Sequence, residues 1–406
     1  MFNKKISIEN MKKETYLKAE ILVRGVSFTL KALEYARNIG AKGQNLTYNI
    51  PLNAEVSRPQ ELFIKGKDGY TVVVSCVSPN NTNHVLIDYR EDKLIAFVDN
   101  KAVKGVEIDF VKEPSYYNKI LDDGSIVKKY ISACGYDELN ILPWKGCAIS
   151  SRCKFCGVNL VASKNDINNL TAHNISKDIY VWENNKIEYL DNLKKSIKLA
   201  LQDECYKDHS HVILISGNLS NEKLNLQAKI YSEIAREIKY LIQEKSKEGI
   251  VAVMSPPEDI TLLEVLKESG VEIVVFNLEV GSEPWFSKYC PGKQKLGREY
   301  FLKRLYKSVE IFGYGKSWTN FVLGLEPIDE LLDLCEELAK KGIVSGANIL
   351  HLDEGNSLDC TVPSIEEVAY FFKELSNIYR KYNFKPYYCE KALRTSLSNE
   401  AYDNRY

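Results

Sequence analysis

The chain has 406 residues, more than one ordinary domain holds, so two or three domains are expected. Apolar residues make up 45% of it, and 54 Lys and Arg nearly balance 55 Asp and Glu. A sizeable core is therefore available, while the charge leaves no footprint for nucleic acid or an anionic membrane. The most apolar stretches, such as 271–280, are short and carry Glu272 and Glu279, whereas a membrane span needs ~20 mostly apolar residues. The first twenty residues contain lysines but no apolar run before a small-residue cleavage site, so a soluble cytoplasmic protein is expected.

Residues 1–137 carry short β-type runs at 71–77, 84–89, 94–98 and 106–111. Turn signals such as Ser78-Pro79-Asn80-Asn81 and Asp122-Asp123-Gly124 separate them, and helical periodicity covers 30–39. This predicts an α+β domain, mostly antiparallel. From 139 onward the pattern changes. Apolar runs at 139–143, 212–215, 250–254, 271–278, 318–323 and 347–351 alternate with helical-period segments at 187–203, 221–244, 262–269, 298–312, 328–341 and 364–381. Buried strands alternating with helices predict a parallel sheet with helical crossovers. Six such units make a partial (β/α)6 TIM-like barrel over 138–355, followed by a C-terminal helix and tail over 356–406. Chemistry in such barrels sits at the C-terminal strand ends.

Of the ten cysteines, Cys76, Cys134, Cys205, Cys290, Cys335, Cys360 and Cys389 are scattered, as expected of small buried hydrophobes in a reducing compartment. The other three form Cys147-Ala-Ile-Ser-Ser-Arg-Cys153-Lys-Phe-Cys156-Gly157, directly after the first barrel strand. Three thiolates on one loop can hold three irons of a [4Fe–4S] cubane and leave the fourth open. An open metal position marks catalytic rather than structural sites. Gly157 lets backbone approach closely, and Phe155 is placed to shield a cluster from water. A Cys3His zinc site using His173 is the alternative ligand set, and an accidental grouping is the other.

The motif and its placement resemble the radical SAM superfamily. The resemblance covers about 139–358, and its C-terminal part is most similar to the biotin-synthase-type branch. The spacing here is C-x5-C-x2-C where the commonest family form is C-x3-C-x2-C. The resemblance implies S-adenosylmethionine (SAM) as second cofactor, a flavodoxin- or ferredoxin-type electron donor, and hydrogen abstraction from a small-molecule substrate by a 5′-deoxyadenosyl radical. Ser216, Gly217 and Asn218 follow strand two where the family receives the SAM amino group on backbone; the family's Glu is absent, so only a backbone role carries over. Asn277 and Glu279, in Phe276-Asn277-Leu278-Glu279, resemble a SAM-contacting segment, and strand alternation places both on one face. Lys295, or Lys293, stands where the branch has an arginine for the SAM carboxylate, with Arg298 just beyond. Gly324 matches the strand-five glycine beside adenine. Asn348 and His351 on strand six are implied to face substrate, with a core histidine as the other reading of His351. No second tight cysteine motif exists for an additional cluster, which favours a small molecule over a peptide substrate. A peptide recognised by residues 1–137 and a non-catalytic metal-stabilised barrel are the rival readings. The N-terminal domain and the segment 158–186 are expected to close over the gap an open barrel leaves.

Overall fold

The structure, a computed structural model, describes residues 8–43, 58–79, 83–135, 137–158, 170–203, 211–242, 246, 249–352, 358, 360–386 and 392–406. Cys205, Cys389 and part of the 158–186 segment lie outside them.

The N-terminal region comprises α1 (Lys13–Arg24), β1 (Val26–Phe28), α2 (Leu30–Asn38), β2 (Glu61–Gly66), β3 (Thr71–Ser75), β4 (Val85–Arg90), β5 (Lys93–Val98), β6 (Lys101–Ala102) and β7 (Val106–Phe110). These strands form a four-stranded sheet in the order β1-β4-β5-β6 and a three-stranded sheet β3-β2-β7. All pairings are antiparallel except β1 with β4.

The remaining elements are β8 (Ile131–Cys134), β9 (Glu138–Ile141), α3 (Ala172–Lys177), α4 (Tyr180–Leu201), β10 (His211–Ile215), α5 (Leu224–Ile242), β11 (Ile250–Val253), α6 (Leu262–Glu268), β12 (Val271–Val275), α7 (Glu283–Tyr289), α8 (Pro291–Gln294), α9 (Arg298–Phe312), β13 (Ser317–Leu323), α10 (Ile328–Lys340), β14 (Ile343–Ile349), α11 (Ile365–Lys381) and α12 (Ser398–Tyr402). One curled, half-barrel sheet of seven strands runs in sequence order from β8 to β14. β9 to β14 pair in parallel, and β8 is antiparallel to β9. The helical period does the packing: α10 buries Ile328, Leu331, Leu332, Cys335 and Leu338, the i, i+3, i+4, i+7 stripe of a helix laid on a sheet. β14 begins four residues before the predicted run. Its first half, Ile343–Gly346, pairs with Ser317–Asn320. A Cβ on Gly346 would lie 2.2 Å from Asn320 Oδ1, so glycine there makes room for a side chain of the neighbouring strand.

Both edges of the parallel run β9 to β14 are covered. β8 closes the β9 edge. At the other, Thr395 O accepts from Ile349 N at 2.9 Å, and Arg394 O accepts from Ser75 N at 3.0 Å. The C-terminal segment thus bridges β14 to β3. Its last residues clamp α1: Lys18 Nζ lies 2.6 Å from Glu400, and Arg405 reaches Glu14 at 2.5 Å and Asp68 at 2.7 Å. Arg405 and the Tyr70 amide pull the Asp68 carboxyl from its ordinary 3.8 to about 2. A depressed carboxylate contributes stability above its unfolded pKa and loses it as pH falls through the folded value. Amide exchange of residues 398–406 is therefore expected to accelerate between about pH 4 and pH 2. The same acceleration in Asp68→Asn would place the acid sensitivity elsewhere.

Candidate functional site

Past β9 the chain runs through buried Trp144 into the cysteine loop. Trp144 Nε1 donates to Gly217 O at 2.6 Å, and Ser216 Oγ donates to Trp144 O at 2.9 Å. Ala148 N donates to Asn218 O at 2.8 Å. The Ser216-Gly217-Asn218 turn after β10 therefore holds the start of the loop, largely through its own carbonyls. A Cβ on Gly217 would lie 2.2 Å from Gly146 O and 2.7 Å from Cys147 Cβ. That close approach, rather than a positive φ, requires glycine. Gly217→Ala is expected to displace the loop and weaken iron uptake by ~10-fold or more, the range seen when support of a metal ligand is lost. Iron per chain after reconstitution is the measurement, and undiminished uptake would show that the loop accommodates the methyl group.

A second segment, Tyr289 to Lys295, clasps the loop from the other side. Tyr289 O accepts from Lys154 N at 2.9 Å, and Asn221 Nδ2 donates to Gly292 O at 3.0 Å. A Cβ on Gly292 would lie 2.1 Å from Ser151 O. Lys295 is exposed and donates to Ser150 Oγ at 2.6 Å on the outer rim of the loop. Close by, the C-terminal part of the 158–186 segment packs at the loop base: Lys145 O accepts from Ala172 N at 2.9 Å, and Ser176 Oγ accepts from Ser220 N at 2.9 Å.

The three thiols of the motif share one electrostatic neighbourhood, in which Cys153 acts on both Cys147 and Cys156. Burial pushes the Cys147 thiol up and raises Cys156 to about 12. Cys153 shifts the other way. A hydrogen bond from Cys290 holds it below the ordinary thiol range against the effect of burial, with the Lys293 ammonium assisting. Among the described residues no group of three or more His, Cys, Asp or Glu is arranged to hold a metal ion. His173, on α3, is exposed.

Asn277 and Glu279 do come together, though not by strand alternation. β12 ends at Val275, and Glu279 takes φ 69°, a left-handed turn that an extended-strand reading omits. Lys293 joins them: its Nζ lies 2.7 Å from Asn277 O and 2.8 Å from Glu279 Oε1. Burial works against its charge, but the Glu279 carboxylate and the Cys153 and Cys290 sulfurs outweigh that and raise its pKa. Asn277 Oδ1 accepts from Asn320 N at 3.2 Å and from Asn320 Nδ2 at 3.1 Å. Glu326 holds the turn that follows, accepting from Gly281 N at 2.5 Å and Ser282 N at 2.9 Å. Arg298 Nε donates to Gly281 O.

The residues assigned to the last two strands lie differently. Gly324 has φ 113°, and a Cβ there would lie 2.8 Å from Pro363, so the turn itself demands glycine. Asn348 is exposed and accepts from Thr395 Oγ1 at 2.6 Å. His351 is half-buried, its Nδ1 3.2 Å from Ile349 O.

Four residues of this region were not legible as site residues. Cys290 looked like any scattered thiol; the Pro-Gly that follows it was the available cue. Asn320 is a single amide within an apolar strand, and Glu326 stands in the strand-five segment where only Gly324 carries the resemblance. Ser255, after β11, is buried with Oγ lacking a partner, while its N donates to Asn218 Oδ1 at 2.8 Å. A buried hydroxyl without a partner at the C-terminal strand ends is what a missing polar ligand leaves behind. With the cysteine loop beside it, this end of the sheet fits a [4Fe–4S] cluster on Cys147, Cys153 and Cys156, and a polar cofactor such as SAM next to Ser255, Asn277 and Lys293.

No protein-family model matches the chain. Two solved structures of the [FeFe]-hydrogenase maturase HydG, one from Carboxydothermus hydrogenoformans, are similar over 63% of this chain and 52–53% of theirs. They are 15% and 16% identical with a TM-score of 0.39, a level at which the likeness says nothing of activity. A bacteriochlorophyllide c C-7(1)-hydroxylase of Chlorobaculum limnaeum is 37% identical over 131 residues, which is 30% of this chain and 32% of that protein. The chain thus spans about a third of the length of the curated relative it matches, and over that third it is similar to an enzyme.

Proposed function

We propose that the protein is a radical SAM enzyme that abstracts hydrogen from a carbon of a small-molecule substrate in cofactor or specialised-metabolite biosynthesis. The observation that carries this reading is the cysteine loop at the C-terminal end of the first parallel strand, pinned by the glycine turn of the second. When bound, the reduced cluster and SAM supply reductive cleavage of the sulfonium to a 5′-deoxyadenosyl radical, the difficult chemistry that protein side chains cannot perform.

The chain's own residues bind, orient and exclude water. Cys147, Cys153 and Cys156 would hold the cluster, and an open metal position beside them would bind SAM. Ser255 Oγ and the Asn277 amide offer hydrogen bonds to its polar groups, and Lys293 offers a point charge to its carboxylate. Trp144 and the α3 region shield the loop base. The hydroxylase name of the relative fits a substrate attacked at carbon. A low-potential carrier protein of the flavodoxin or ferredoxin type is the expected electron source.

Anaerobic reconstitution with iron and sulfide, followed by reduction in the presence of SAM, tests the reading. About four irons per chain and release of 5′-deoxyadenosine are expected. Zinc in place of iron, or intact SAM after reduction, would overturn it.

A further inference from the structure

The proposed chemistry needs an electron from outside the protein, and one patch of surface lies directly against the cysteine loop. On α7, Trp285, Lys288 and Tyr289 share a face at i, i+3 and i+4. The Trp285 and Tyr289 rings stack with centroids 6.0 Å apart and planes 8° apart. Lys288 Nζ lies over both, 5.0 Å from the first ring and 4.8 Å from the second. Tyr289 O accepts from Lys154 N at 2.9 Å, so this face abuts the loop between Cys153 and Cys156. Lys295, just past α8, reaches the same rim at Ser150.

Two properties set the patch apart. Trp285 is half-buried, whereas the other three tryptophans, Trp144, Trp182 and Trp318, are buried. Lys288 is exposed, and neither it nor Lys154 forms an ion pair among the described residues. Of the nearby acids, Glu222 lies by Lys295, while Glu283 sits about 140° round α7 from Lys288. The whole chain carries a formal charge of -1, so attraction for an acidic protein has to come from a local patch such as this one.

We propose that the Trp285–Lys288 face of α7, together with Lys154, is the docking surface for an acidic electron-carrier protein. This rests on the reading of Cys147, Cys153 and Cys156 as cluster ligands. The lysines steer the acidic rim of the carrier, and Trp285 supplies an aromatic anchor of the kind that dominates interface energetics. One electron passes in each productive encounter: the carrier is oxidised by one electron, the cluster is reduced by one, and no bond is made or broken.

The test is calorimetric binding of a flavodoxin and of a [4Fe–4S] ferredoxin, both acidic, to the full reconstituted chain at ~0.05 M and ~0.5 M salt, with iron counted in each variant. Lys154→Glu combined with Lys288→Glu is expected to weaken binding of at least one carrier ~10-fold at low salt and little at high salt. Trp285→Ala is expected to weaken it ~10-fold at both. Lys341→Glu, just before β14 at the opposite end of the sheet, is expected to bind like the parent. Lys288→Glu alone decides the matter if the double variant loses iron, and it is expected to slow 5′-deoxyadenosine release driven by the carrier but not by dithionite. Charge reversal without effect, an equal loss in Lys341→Glu, or a parent that binds neither carrier overturns the inference, and dithionite-driven cleavage then leaves the proposed function standing. A parent that binds a carrier yet leaves SAM intact under dithionite overturns the proposed function instead.

Discussion

Cys153→Ala is expected to abolish iron–sulfur incorporation and, with it, all reductive cleavage of SAM. The same outcome is expected for Cys147 and Cys156, because in the proposed function each would supply one corner of the cluster and the cofactor would carry the chemistry. The consequence at Cys153 is compounded by its partners. Removing that sulfur also takes away a neighbour of Lys293. Cys335→Ala is the control. That thiol is fully buried on α10, where burial raises it to about 12, so it acts as a small core hydrophobe. It should keep about four irons per chain at some cost in stability. The visible absorption of the cluster, iron content and 5′-deoxyadenosine release are the measurements. Iron retained by Cys153→Ala would mean that the ligand set is not this motif.

Glu61→Ala is expected to destabilise the chain by ~3–5 kcal/mol, the cost of leaving buried charge uncompensated. Glu61 is 0% exposed between Lys42 at 2.7 Å, itself 1% exposed, and Arg394 at 2.6 Å. Against a total of ~5–15 kcal/mol for a folded domain, that loss approaches unfolding. Two further groups would lose order with it. Glu61 Oε2 accepts from Gly135 N at 3.1 Å, just past β8, and Arg394 sits beside Thr395, which pairs with β14. One carboxylate thus ties both edges of the half-barrel to the N-terminal sheets. Denaturant titration is the measurement. Replacing the whole set with apolar residues, as in Glu61→Leu with Lys42→Met and Arg394→Met, is expected to recover most of the loss. A single Glu61→Ala within ~1 kcal/mol of the parent would show that the triad is solvated.

The contrast between two helices shows where sequence reading stops. α10 buries an apolar stripe, and its period is visible in the residue order. α1 buries Glu14, Lys18 and Glu20 together with Leu17, Ile21 and Leu22. Charges on its inward face erase the amphipathic signal, and they are tolerable only because Arg405, Glu400 and Arg24 meet them. Arg24 is one turn from Glu20, but Arg405 and Glu400 lie up to 391 positions from their partners, beyond any local window. The site divides similarly. The three motif cysteines and the glycine turn were legible because their spacing is local. Cys290, Ser255, Asn320 and Glu326 were not, since each is a single residue far in sequence from the cysteine loop.

By itself the amino-acid order determined the alternation of strand and helix, and with it the parallel sheet, since hydrophobic period is a local property. It also determined the cysteine loop at the end of the first parallel strand. Only the tertiary structure decided that β8 and the C-terminal segment would cover the sheet edges, that Glu279 would turn left-handed to meet Lys293, and that Tyr289 would clasp the loop at Lys154. These contacts join residues far apart in the chain, and only packing brings them together.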